Sequence, residues 1–506
     1  MEKRIACPKW NRKQLGIAVA VGLLLVLGTV WILCPRHASM EGGVRCLYEG
    51  SASQIKRGME QKGQFTAACG QIPVDVTFYK SSEGTARQLC QLLYEPLVSV
   101  SAGGEVAPVL AKKVAFAPDG KSAEVTLGKH CFSDGSTVTA QDVYDAYLLV
   151  AARDSANPLK KTIIAIEGGE AYLQGSAEGV VGIEILDEGK LRFTFCTPSL
   201  GNLEVLTLPV VKETETCEFP LGSGRYQMER FYGLQEALLT VNPYGEGHCG
   251  YQKIRFINGT RQAIEQGIAD FSVDAMAVGN QEIYDLAQSA GGYDIYAYPT
   301  SERAYITFAP QSSLTVRQAV GAVFDGDDFW KNVDALQKTS HGNLPVSGFA
   351  STRYAGKAAF SEQMQKLQAE KLAKKLVEER GKATVTVALA DTTVNRSYFG
   401  ILAQQFANCG IELQADFNGA PESCDMALSF VDPRSPEEIL RETLGTAEYE
   451  PWIAQQLYKD YQNIYEAIEK QAVNVVPVIP MGAGANQIAV LADCRDQALL
   501  QVLMES

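Results

Sequence analysis

The chain has 506 residues, 46% of them hydrophobic and 21% charged, a composition that excludes a disordered or fibrous protein and allows about three domains of ~150 residues. Its formal charge is −14; Lys3, Arg4, Lys9, Arg12 and Lys13 stand against Glu2 alone, so the first fourteen residues carry +4 and the remainder −18. So acidic a surface excludes nucleic acid as a partner, because polyanions are held by basic stripes that replace their condensed counterions.

Behind the basic tail at residues 1–14, "LGIAVAVGLLLVLGTVWIL" at 15–33 runs for nineteen positions without a charge, about the length a helix needs to cross a hydrocarbon core. The basic flank predicts a cytoplasmic N-terminus, an uncleaved single-pass anchor in the cell membrane and an extracytoplasmic remainder. Cleavage and lipidation at Cys34 is the alternative, although Trp31, Ile32 and Leu33 are bulkier than lipoprotein processing sites allow. Of the twelve cysteines, Cys46, Cys69, Cys90, Cys131, Cys196, Cys217, Cys249, Cys409, Cys424 and Cys494 fall outside, where an oxidising compartment predicts at least one disulfide. None makes a CxxC or a Cys/His cluster with zinc spacing, so neither a metal nor a cofactor is expected.

Residues 34–70 have weak periodicity and read as a stalk, so the folded part is expected to begin near Ile72. "IPVDVTFYK" alternates as a strand does, and "GTARQLCQLLYEPLV" has apolar residues at helical spacing. Two alternating runs around Pro118-Asp119-Gly120 predict a hairpin, and "GIEILDEGKLRFTFC" a second one. Between them, "FSDGSTVTAQDVYDAY" carries a turn at Asp134-Gly135 and a helix start in which Thr139 caps and Asp142 complements the dipole. "EALLTVNPYG" predicts a strand ending at Asn242-Pro243, and "RQAIEQGIADFSV" a change from helix to strand at Gly267. From Tyr305 longer helices alternate with strands, which indicates α/β layers.

Enzyme motifs are missing or out of context. Gly120-Lys121-Ser122 imitates the end of a phosphate loop, but Ala115 replaces its first glycine and the context is a hairpin. His37, His130, His248 and His341 are widely spaced, and there is no G-x-S-x-G or H-E-x-x-H.

The order of several segments carries more. Tyr94-Glu95-Pro96-Leu97, Pro108-Val109-Leu110-Ala111, Asp119-Gly120-Lys121, Phe132-Ser133-Asp134-Gly135 and Thr139-Ala140-Gln141-Asp142-Val143 resemble, in sequence, the N-terminal signature of the extracytoplasmic solute-binding proteins of peptide and nickel ABC importers. "GSGRYQM", "VNPYGEG", "AIEQGIADFSV", "VRQAVGAVFD" and "AEKLAKKLVEERG" continue the resemblance along the chain. It implies a two-lobed α/β periplasmic-binding-protein-like fold of class II, cluster C type: lobe I at 71–300 with a small β-rich subdomain at about 95–205, lobe II at 301–475, and a return to lobe I at 476–506. It also implies a monomeric binding protein rather than an enzyme, with a peptide or other small molecule as ligand and ABC permease subunits as partners. A receptor uncoupled from import, or a surface enzyme, are the alternatives. "SFVDPRSPEEIL" is similar to the family segment whose carboxylate meets the ligand's ammonium group, which puts Asp432 in that role with Phe430, Arg317 and Tyr305 as further cleft residues.

Overall fold

A computed structural model describes residues 43–504 apart from 57–62, 82–83, 102, 338–342, 347, 351–359, 433 and 495. The anchor expected at residues 15–33 lies outside these; among the described residues no helix is long and apolar enough to cross a membrane.

The described residues build one twelve-stranded sheet, a separate four-stranded sheet and a two-stranded ribbon. Two long strands, Tyr293–Phe308 and Val478–Leu491, lie side by side in the middle of the large sheet and run antiparallel. The first half of one and the second half of the other belong to a part of the sheet formed with Ala275–Ala277, Gln64–Gly70, Lys253–Asn258, Glu236–Val241 and Tyr226–Tyr232. Their opposite halves belong to a second part, formed with Met426–Ser429, Thr384–Ala388 and Glu412–Asp416. The register slips between Pro299 and Arg303, with residues 300–302 inserted across from Gly484, and again between Ala304 and Tyr305. A side chain at Gly484 would lie 2.8 Å from Thr300 Oγ1, so the chains cross here at close range.

Each part has its own core. In the first, Ile264, Ile268, Phe271, Met276, Ile283 and Tyr293 are buried together against Ala68, Ala489 and Leu491; fully burying each large apolar side chain contributes about 1.5–3 kcal/mol. The helix Arg261–Asp270 runs through Gly267, where a change to strand was expected. Gly267 is there for closeness: a Cβ would meet Val273 Cγ2 at 2.4 Å, and Tyr293 Oη donates to the Gly267 carbonyl at 3.1 Å. The turn falls at Phe271 instead, with φ +56°.

Two expectations at the start of the chain are corrected. The stalk expected at residues 34–70 is overturned where the chain is described, because Arg45–Tyr48 pairs with Tyr293–Phe308 and Gln64–Gly70 is an inner strand of the sheet. "IPVDVTFYK" is not a strand: its end is the 3₁₀ turn Phe78–Lys80, with Phe78 and Tyr79 buried and Val74 68% exposed. Its alternation misleads because the neighbouring "QFTAACG", buried on both faces, shows no alternation.

The small sheet follows the sequence closely. Ala111–Phe116 and Ser122–Leu127 form the first hairpin, with Gly120 at φ +66°, and Ile183–Asp187 and Lys190–Thr194 form the second. The helix Ala140–Val150 opens with a capping box: Thr139 Oγ1 accepts from the Asp142 amide at 3.3 Å and Asp142 Oδ2 accepts from the Thr139 amide at 2.8 Å. Such a cap contributes about 1 kcal/mol. Less expected is how this sheet meets the C-terminal helices. Phe116 packs on Tyr461 at 5.7 Å, Gly120 lies against Ala454, and the Leu200 amide donates to Glu437 Oε1 at 3.1 Å.

All ten cysteines in this part of the chain are free thiols, which overturns the expected disulfide. Several serve as packing residues. Cys90 is buried in the helix Gly84–Leu93, and burial pushes the thiols of Cys69 and Cys90 up to about 12, where they remain protonated and unreactive.

Candidate functional site: the edge where the strands cross

The strand directions define the site before any side chain is considered. Met426–Ser429 is parallel to Thr384–Ala388, which is parallel to Glu412–Asp416, and Ser429 sits opposite Tyr305. The chain then continues toward the crossing, where the Asp432 amide donates to the Arg303 carbonyl at 3.2 Å. All three carboxyl ends therefore face the crossing. From the other side Ala275–Ala277 advances on Ile488, with the Val278 amide bonded to the Gln487 carbonyl at 2.9 Å, and Gln64–Gly70 and Lys253–Asn258 are parallel to it. Both parts of the sheet thus turn the carboxyl ends of parallel strands toward one crevice, the place where α/β sheets bind ligands.

Three of the four expected residues meet there. Phe430 follows Ser429 and pairs with Tyr398 at 5.1 Å between ring centroids; Phe417, after the next strand, pairs with Phe399 at 5.9 Å and lies under Arg396 at 4.5 Å. These half-buried rings give the edge an apolar lining. Asp432 is close by, but its carboxylate is already engaged: Arg434 donates to it through Nε at 3.0 Å, Nη2 at 2.7 Å and its amide at 3.0 Å. Arg434 holds the Asp432 carboxyl below the usual carboxylate range, against the upward push of burial. Arg434 also donates to Glu442 at 2.8 Å, so it has a second carboxylate in reach.

Tyr305 is only 2% exposed, and its hydroxyl is buried beside the Arg303 guanidinium. Arg317 is not brought to this edge. It lies at the far end of the strand pair, where Phe308 faces Met426, with Nε donating to the Ser312 carbonyl at 3.1 Å and its guanidinium 5.8 Å from the Phe308 ring.

No motif announces the charged groups buried at and beside Tyr305. Arg303 stands two residues before it, and Glu204 approaches from the segment after the small sheet. Burial, reinforced by Glu437 and opposed by Arg303, pushes Glu204 up to about 7. Glu469 is likewise raised to about 7 by burial, although the Ala350 and Phe360 amides donate to it at 2.6 and 2.8 Å. Glu437 Oε1 accepts from the Leu200 amide, from Arg441 at 2.8 Å and from Tyr449 Oη at 2.9 Å.

The profile of the bacterial extracellular solute-binding proteins, family 5 Middle, matches residues 105–420, more than half of the chain. Among solved structures, the chain is similar to the unliganded open form of MppA, a periplasmic murein tripeptide binding protein, at 16% identity and a TM-score of 0.64 over 88% of this chain and 96% of that one. It is also similar to OppA of Haemophilus influenzae in complex with RPPGFSPFR, at 14% identity and a TM-score of 0.50 over 88% of this chain and 98% of that one. No curated protein matches the sequence.

Proposed function

Because the chain belongs to family 5 of the bacterial extracellular solute-binding proteins, we propose that it is the substrate-binding component of an ABC importer and captures a short peptide in the crevice where its two central strands cross. In this reading residues 15–33 anchor a monomer at the outer face of the membrane. The lobes meet near residue 300 on one strand and near residue 484 on the other, rather than at residue 476. The observation that supports it most is the pair of crossing strands: two segments with a local register slip form the kind of hinge about which binding proteins close on a ligand. That a peptide is the ligand follows the two structural relatives, one a murein tripeptide binding protein and the other bound to RPPGFSPFR.

Closure would expel water from the edge lined by Phe430, Tyr398 and Phe417 and strengthen each polar contact inside it. Asp432 is the acceptor for the ligand's ammonium group. Arg434 holds that place in the free protein and, when the ligand arrives, stays paired with Glu442. No side chain in this scheme makes or breaks a bond in the ligand. Thermal unfolding of the full chain with a mixed tripeptide pool tests it: at 100 times the dissociation constant, a bound peptide adds about 2.7 kcal/mol and raises the melting temperature by some degrees. A melting temperature indifferent to peptide at every concentration would sink the reading.

A further inference from the structure

The small sheet touches the C-terminal helices through one hairpin and one short helix. Asn202, fully buried in the helix Gly201–Glu204, donates through Nδ2 to the Gly120 and Thr197 carbonyls, both at 2.9 Å, and so ties that helix to the hairpin that lies against Ala454. At the start of the same helix the Leu200 amide donates to Glu437 Oε1. The Glu204 amide donates to the Leu200 carbonyl at 3.1 Å, which puts Glu204 one turn along the face that meets the helix Pro436–Leu444.

Two carboxyl groups are thus set into one contact with unequal support. Glu437 Oε1 has three donors, the Leu200 amide, Arg441 and Tyr449 Oη, and Arg441 lies over the Tyr449 ring at 5.0 Å. Glu204 is half-buried, and its carboxyl group has no hydrogen-bond partner among the described residues. Charge reaches it from Glu437 on the helix Pro436–Leu444 and from Arg303 on the long strand, while Tyr449 and Tyr465 face it with hydroxyls that burial keeps protonated. On the segment Pro158–Ala165, packed against its helix, Lys160 is turned to the Arg153 and Ser155 carbonyls and Lys161 is exposed. Arg441 Nε is buried in the same contact without a partner, and an unpaired donor weakens the docking enough for a single charge to matter.

We propose that Glu204 is a proton-operated latch between the small sheet and the C-terminal helices: protonated, it lies beside Glu437 and the sheet stays docked; ionised, it repels Glu437 and the sheet lets go. Burial, reinforced by Glu437 and opposed by Arg303, puts Glu204 at about 7 while docked, against an ordinary 4.5 once released. Because docking raises the value, docking is fully favoured below the released value and weakens as pH rises through the docked one. On the reading of the crossing strands as a hinge, a docked sheet braces one lobe against the other, so capture is tighter at acid pH.

Amide hydrogen exchange of the full chain in mild detergent, without peptide, tests the latch apart from the crevice. Between pH 5.5 and 8.5, after correction for the intrinsic pH dependence of exchange, residues 199–206 and 446–461 should open at least about 10-fold more often, whereas Arg261–Asp270 in the other core keeps its protection. Glu204→Gln, neutral at every pH, should keep both segments protected throughout; Glu204→Met, neutral and close in length, gives the same readout if the Gln variant does not fold. Equal opening at both pH values in the wild type, or a rise that persists in the neutral variants, overturns the latch and leaves the peptide reading untouched. Absence of peptide binding alongside the expected exchange pattern overturns the peptide reading and leaves the latch standing.

Discussion

Replacing Asp432 by Asn is expected to lower affinity for an ammonium-bearing ligand by roughly 30- to 1000-fold, about 2–4 kcal/mol, while barely changing the stability of the free protein. The expectation follows from what Asn keeps and loses. Its Oδ1 still accepts from the Arg434 amide, so the turn that now has a 3.0 Å bond survives. Arg434 loses its bidentate partner, but it is 37% exposed and keeps Glu442 at 2.8 Å, so its charge is left neither dry nor without a carboxylate even though the Asp432 side chain itself is only 4% exposed. The ligand has no such substitute. Inside a closed crevice its ammonium would face a neutral amide, and a desolvated charge without its partner carries the full penalty. Titration calorimetry with the identified ligand, run beside apo melting, separates the roles. If the apo melting temperature drops and affinity holds, Asp432 is only the acceptor of a turn and the partner of Arg434.

The largest stability loss is expected at Asp425, which fixes the strand that delivers Phe430 and Asp432. Its carboxylate accepts from Arg380 at 2.7 and 2.9 Å, from the Thr386 amide at 2.9 Å and from Thr386 Oγ1 at 3.1 Å, and the residue is 8% exposed. Asn would place an NH₂ against one of these donors and take the bidentate partner from Arg380; a fully buried pair would lose about 3–5 kcal/mol, and because Arg380 is 31% exposed the expected loss is about 2–3 kcal/mol. Burial pushes the Asp425 carboxyl up, but the bonds from Arg380 and Thr386 together outweigh it and leave it below its ordinary 3.8. A folded-state pKa below the unfolded one means that this stabilisation is complete above the unfolded value and is lost as pH falls through the folded value. Urea unfolding of wild type and Asp425→Asn at pH 7 and pH 3 should therefore show a wide gap at pH 7 that narrows at pH 3. A gap that is small at pH 7 or constant with pH would contradict this role.

Local signals in the sequence decide the structure where one element answers to its own residues. The Thr139-Asp142 cap and the two hairpins of the small sheet are cases in which turn chemistry or side-chain alternation decides the outcome. Local signals failed where the surroundings decide. Gln64–Gly70 lies between two strands and so has no polar face to alternate with, and Gly267 is small because Val273 presses on its helix. The disulfide expectation failed because it was drawn from a count, and a count says nothing about which thiols come together.

The candidate site was legible to the same degree. Phe430, Asp432 and Tyr305 converge because they flank one strand pairing, and the family-like segment marked two of them. Arg434 was visible in that segment, two residues after Asp432, yet its grip on the carboxylate depends on the turn between them. Arg303 and Glu204 carry no motif, since only the crossing brings Arg303 near Tyr305 and only the packing of the small sheet on the C-terminal helices brings Glu204 near Arg303 and Glu437.

The most direct test of the account is the mass of the chain as it leaves the cell. Extracted from its membrane in mild detergent and sprayed under native conditions, the protein should carry a single small ligand, and fragmentation of that ligand should yield a peptide with a free ammonium. A bare chain that stays bare when peptide is added, or a bound solute that is not a peptide, would contradict it.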